Sequence, residues 1–67
     1  MSRTMTTIND LRAWVAESLS GTEYTDADMG RIARRLANDR NSPRWGADWS
    51  EYLDRLTVAD LDELAAA

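Results

Sequence analysis

The chain contains no cysteine, histidine, lysine or phenylalanine, and only one proline and three glycines among its 67 residues. Each absence closes off some chemistry. Without cysteine there is no disulfide and no thiolate metal site to staple a small core. Without histidine the commonest general base, the commonest metal ligand and the group that titrates near neutrality are gone. Ser2, Ser18, Ser20, Ser42 and Ser50 have neither a histidine nor a lysine to activate them as nucleophiles. There is no glycine-rich phosphate loop, and Asp39-Arg40-Asn41 does not continue into the glycine and distal glutamate of a calcium loop. The expectation is therefore no enzyme, no catalytic residue, no metal and no cofactor. No apolar run is long enough to span a bilayer. Residues 1–7 lack the apolar stretch of a signal peptide, so the expected compartment is the cytoplasm.

All eight basic residues are arginine. With lysine and phenylalanine missing and alanine frequent, this matches the codon bias of a GC-rich bacterial genome. Arginine was therefore not necessarily selected over lysine for its bidentate geometry. A chain this short buries only roughly 60% of its unfolded surface. A small core without staples leans on good packing or on a partner, and Trp14, Trp45 and Trp49 fit the packing route.

What is present is a repeated helix start. Thr7-x-x-Asp10-Leu11, Thr25-x-x-Asp28-Met29 and Thr57-x-x-Asp60-Leu61 each place a threonine at an N-cap and a carboxylate three residues on. The hydroxyl accepts from an orphan backbone N–H, and the carboxylate faces back to the cap at the positive end of the helix dipole. Asp48-x-x-Glu51-Tyr52 is a fourth version with aspartate as the cap. These starts predict an all-α, compact bundle of three main helices, about 8–19, 26–40 and 49–56, plus a short C-terminal fourth, about 58–65. Residues 1–6 are expected to form a disordered tail, residues 7–65 one small domain, and residues 66–67 a frayed end. The expected buried stripes are Ile8, Leu11, Val15 and Leu19; Met29, Ile32, Ala33 and Leu36; Trp49, Tyr52, Leu53 and Leu56; and Val58, Leu61 and Leu64.

Charge is segregated along the chain. Residues 1–30 carry a net −3, residues 31–44 a net +4 and residues 45–67 a net −5, which together give the overall −4. At about 100° per residue, Arg31, Arg34, Arg35 and Asn38 share the face of the second helix opposite its core residues. Asp28 can reach Arg31 at i+3, and Arg35 can reach Asp39 at i+4 in the weaker order; Arg34 has no acidic partner on its own helix. An ordinary solvated surface accounts for such a face, and so does a docking surface for acidic groups. Trp45, in Pro43-Arg44-Trp45-Gly46, reads either as a lid over the core or as an exposed anchor extending the face with Arg44. Gly30, Ala33 and Ala37 form a small-residue stripe against which Trp14 or Trp49 is expected to lie, the alternative being a partner helix docked there.

In composition the chain resembles small accessory proteins of phages and mobile elements from GC-rich bacteria. The reading is a non-enzymatic protein–protein interaction module, an adaptor or inhibitor, that engages a protein partner with an acidic surface through Arg31, Arg34, Arg35, Asn38, Arg44 and Trp45. It is expected to be a monomer or weak homo-oligomer. The alternative is a small DNA-binding regulator using the second helix as a basic helix. That reading ranks lower. The only tight helix–helix junction, at Leu56-Thr57, leads into a helix carrying Asp60, Asp62 and Glu63, which phosphates would repel. A pI near 4.5 is also far from the usual basic footprint.

Overall fold

The computed structural model describes residues 3–21 and 23–66. It is all-α, with four helices: α1 (Ile8–Ser18), α2 (Asp26–Ala37), α3 (Ser50–Asp54) and α4 (Val58–Ala65). None of them is long and apolar enough to cross a membrane. α2 lies at the centre and packs against both α1 and α4.

The capping pattern governs the helix starts. At α2 and α4 the threonine hydroxyl accepts from the N3 amide, Asp28 and Asp60 respectively, at 3.2 Å each. The aspartate returns the bond to the threonine N–H. At α1 the Asp10 carboxylate does more: its Oδ2 accepts from the Thr6 N–H at 3.0 Å, the Thr6 hydroxyl at 2.6 Å and the Thr7 N–H at 3.1 Å. Together these bonds hold the carboxyl below the ordinary aspartate range, the Thr6 hydroxyl contributing most. The helix ends are equally local. α1 stops before Gly21, whose φ of +85° only glycine adopts freely. α2 stops at Ala37, earlier than expected, because the Ser42 hydroxyl folds back onto the carbonyls of Ala37 and Asp39.

α3 is shorter than the expected 49–56. Asp48 is not its N-cap; its Oδ1 accepts instead from the N–H groups of Ser50, at 2.9 Å, and Arg3, at 3.0 Å. Downstream, i→i+3 bonds from Arg55 to Tyr52 and from Leu56 to Leu53 tighten the last turn, and Thr57 must leave helical geometry to cap α4.

The expectation of a free tail over residues 1–6 is corrected for residues 3–6; Met1 and Ser2 lie outside the described residues. Arg3 donates to Asp48 and to the Ser50 hydroxyl and accepts from the Trp49 N–H. Met5 accepts from Gly46 at 2.7 Å. Thr4 and Asp48 form an isolated antiparallel bridge. Met5 itself is 3% exposed and belongs to the core. Helical periodicity carries no signal for such a segment, because its partners lie more than 40 residues away.

The core gathers Met5, Leu11, Val15, Leu19, Ile32, Ala33, Leu36, Trp49, Leu53 and Leu61. Six expected members are not among them: Met29, Tyr52, Leu56 and Leu64 are only half-buried against this cluster, and two are exposed. Ile8 is 40% and Val58 64% exposed; each is the first residue of its helix and projects past the end of the packed layer. The expectation for the small-residue stripe is corrected at Gly30. What lies on Gly30 is the Arg12 guanidinium, 3.8 Å from where a Cβ would stand, and not a tryptophan.

Candidate functional site

The sequence-predicted residues divide into two groups. Arg31, Arg34, Arg35 and Asn38 come together around one shallow depression on α2. Arg44 and Trp45 line neither this depression nor its neighbour beyond Arg34. They sit on the loop before α3.

Within the first group the cations do different work. Arg31 reaches Asp28 at 3.5 Å, the expected i,i+3 pair, and the same Nη1 donates to the Ala65 carbonyl at 2.9 Å. Arg35 does not pair with Asp39 as expected. Its Nη1 donates to the carbonyls of Leu64, at 2.9 Å, and Ala66, at 2.6 Å. Asp39 accepts instead from the Tyr52 hydroxyl at 2.8 Å. The reason lies at the end of α4, which has no basic residue in its last turn. Its terminal carbonyls carry the negative end of the dipole and lack intrahelical donors. Arg31 and Arg35, one turn apart on α2, supply both the donors and the positive charge across the helix–helix contact. Arg34 is exposed, and its side chain makes no hydrogen bond or ion pair to any described residue.

Arg34 also borders a second depression, between α1 and α2, with Arg12, Arg31, Ile8 and Gly30. Arg12 was not singled out in the sequence. Its guanidinium lies on Gly30 and donates to the Asp26 carbonyl at 3.4 Å. The usable signal was Gly30 itself, an unexplained glycine inside a helix whose neighbour is set by the packing of α1 on α2.

Trp45 is lid and surface at once. Its ring stacks on the buried Trp49 at 5.1 Å with an interplanar angle of 21°, yet it remains 42% exposed. Trp49 is fixed in turn by its Nε1, which donates to the Arg44 carbonyl at 3.1 Å. Gly46, at φ +90°, turns the chain back beneath the stack.

Glu23, Tyr24, Asp28 and Asp62 line a further depression. Tyr24 donates to Asp62, and this bond, with some desolvation and nearby Asp28, pushes the Tyr24 hydroxyl above the ordinary tyrosine value. Burial and the bond to Asp39 do the same for Tyr52. Among the described residues no group of three or more acidic, histidine or cysteine side chains is arranged to hold a metal.

Comparison with protein-family models, curated proteins and solved structures found no match.

Proposed function

We propose that the chain is a small non-enzymatic interaction module, of adaptor or inhibitor type, that acts in the cytoplasm and docks an acidic protein surface on the arginine face of α2. The observation that carries this reading is Arg34: an exposed guanidinium without an acceptor among the described residues, flanked by Arg31 and Arg35 on one side and Arg12 on the other. α2 is braced by both α1 and α4, so these cations stand on a rigid element, and docking does not require the face to be ordered first. Arg44 and the stacked Trp45 offer a separate, equally rigid contact on the α3-side loop. A small accessory role of the kind found in phages and mobile elements is compatible with a surface that carries docking groups and no catalytic ones.

The test is capture from a bacterial extract by the tagged protein, comparing wild type with Arg34→Glu and Trp45→Ala. A partner bound through this face is lost on charge reversal at Arg34 and released by high salt, because exposed ion pairs are screened. If every captured protein survives both substitutions, the assignment of the face is wrong. The DNA-binding alternative gains no support from the geometry, since Arg31 and Arg35 are engaged by α4 and Asp26 and Asp28 lie on the same helix.

A further inference from the structure

Arg31 and Arg35 are anchored in an unusual way. Their contacts to α4, and the contact of Arg31 to Asp28, all run through Nη1. A guanidinium has five N–H donors in a planar fork, and the Nε–H and Nη2 donors of both side chains have no acceptor among the described residues. Ordinary surface arginines lose considerable rotamer freedom when they bind an anion. Here the carbonyls of Leu64, Ala65 and Ala66 have already fixed both side chains.

We propose that the end of α4 sets Arg31 and Arg35, together with the exposed Arg34, as a cradle for two carboxylates spaced one helical turn apart on a partner helix. This rests on the reading of α2 as a docking face and names what that face recognises. Three features support it. The edges left open, Nε and Nη2, are the pair that forms bidentate bonds to carboxylate. Arg31 and Arg35 are at i and i+4, so their Cβ atoms are about 5–6 Å apart, as are those of two glutamates at i and i+4 on a facing helix. The charge also favours it: among the described residues the depression around Arg31, Arg34, Arg35 and Asn38 is lined by three guanidinium groups and no carboxylate, Asp28 pairing with Arg31 at 3.5 Å and Asp39, Asp60 and Glu63 lining a separate depression with Arg35. The oxygens at the end of α4 that accept from Arg31 and Arg35 are neutral carbonyls, which hold the side chains without neutralising them.

The probes are three alanine-based helical peptides of equal length, carrying Glu-x-x-x-Glu, Glu-x-Glu or Gln-x-x-x-Gln. Binding is measured by calorimetry at low salt, and the Nε–Hε resonances of the arginines are followed by NMR. The expected result is binding of the Glu-x-x-x-Glu peptide about tenfold tighter than either other peptide, with shifts at Arg31, Arg34 and Arg35 and none at Arg40. Arg34→Gln weakens it without changing thermal stability, because the Arg34 side chain has no partner among the described residues to lose. Ala65→Gly, which loosens the last turn of α4, weakens it up to about fivefold while amide protection at Ile32 stays intact. Equal affinity for the two glutamate spacings overturns the cradle but leaves the docking face standing. Unchanged affinity in Ala65→Gly overturns the positioning by α4. If neither glutamate peptide binds better than the glutamine peptide, both the cradle and the docking reading fall.

Discussion

Single residues carry much of the explanation in a chain with so little core. Gly30 is an example. A glycine inside a helix costs roughly 1 kcal/mol relative to alanine, and a small-residue stripe suggests that it admits a close neighbour. Its neighbour is the Arg12 guanidinium, and a Cβ there would meet it at 3.8 Å, ordinary van der Waals contact. Gly30→Ala should therefore stabilise the protein by about 1 kcal/mol, read as a raised urea midpoint at unchanged slope. A lowered midpoint would mean that Arg12 cannot yield. Trp45 makes a second residue-scale prediction. It is 42% exposed while Trp49 is buried beneath it, so iodide should quench part of the tryptophan emission. Trp45→Leu should remove most of the quenchable fraction. Quenching that persists in this variant would place the accessible indole at Trp14. The loop position of Trp45 was legible beforehand, but not its exposure, because stacking on Trp49 depends on how the loop returns.

At the scale of elements, the starts of α1, α2 and α4 were legible, and that of α3 and the N-terminal segment were not. The threonine–aspartate spacing works through bonds spanning three residues, so it is visible in any window of the chain. Residues 3–6 depend on Asp48 and Ser50, and no local pattern announces that. Met5→Ala should cost roughly 2–5 kcal/mol, as for other buried large-to-small changes, checked by urea denaturation; a free tail would give nothing measurable. Acid should act on the same segment. Asp10 and Asp48 both titrate below the ordinary aspartate value of 3.8, Asp10 chiefly through the Thr6 hydroxyl and Asp48 chiefly through the Ser50 hydroxyl. A depressed carboxylate stabilises the fold at pH above its unfolded value, and that contribution is lost as pH falls through the folded value. Amide exchange at residues 3–7 should thus, after correction for its intrinsic pH dependence, stay constant from neutrality down to the ordinary aspartate value and accelerate only below it. Loosening at mildly acidic pH would contradict this.

For the whole molecule, the central position of α2 decides how the protein unfolds. Ile32, Ala33 and Leu36 are buried in one cluster with residues of α1, α3, α4 and the N-terminal segment. The radius of gyration, 11.0 Å, matches the value of about 11 Å for a single compact domain of this length. Unfolding should be one cooperative event, with far-UV ellipticity and tryptophan emission superimposing across a urea titration. Separate transitions would show that α4, held by Leu61, its capping box and the two arginines, opens on its own.

The sequence by itself determined the all-helical class, the starts of α1, α2 and α4, the segregation of charge and the clustering of Arg31, Arg34, Arg35 and Asn38 on one face. All of these rest on interactions spanning one or two helical turns. Only the tertiary structure decided which of those arginines are committed to α4, that Arg12 joins Arg34 on the α1 side, that Arg44 and Trp45 form a separate surface, and that Met5 belongs to the core. These facts depend on contacts such as Arg35 with Leu64 and Arg3 with Asp48, 29 and 45 residues apart. Side-chain spacing along a helix sets a direction; only the packing of another element determines what lies in that direction.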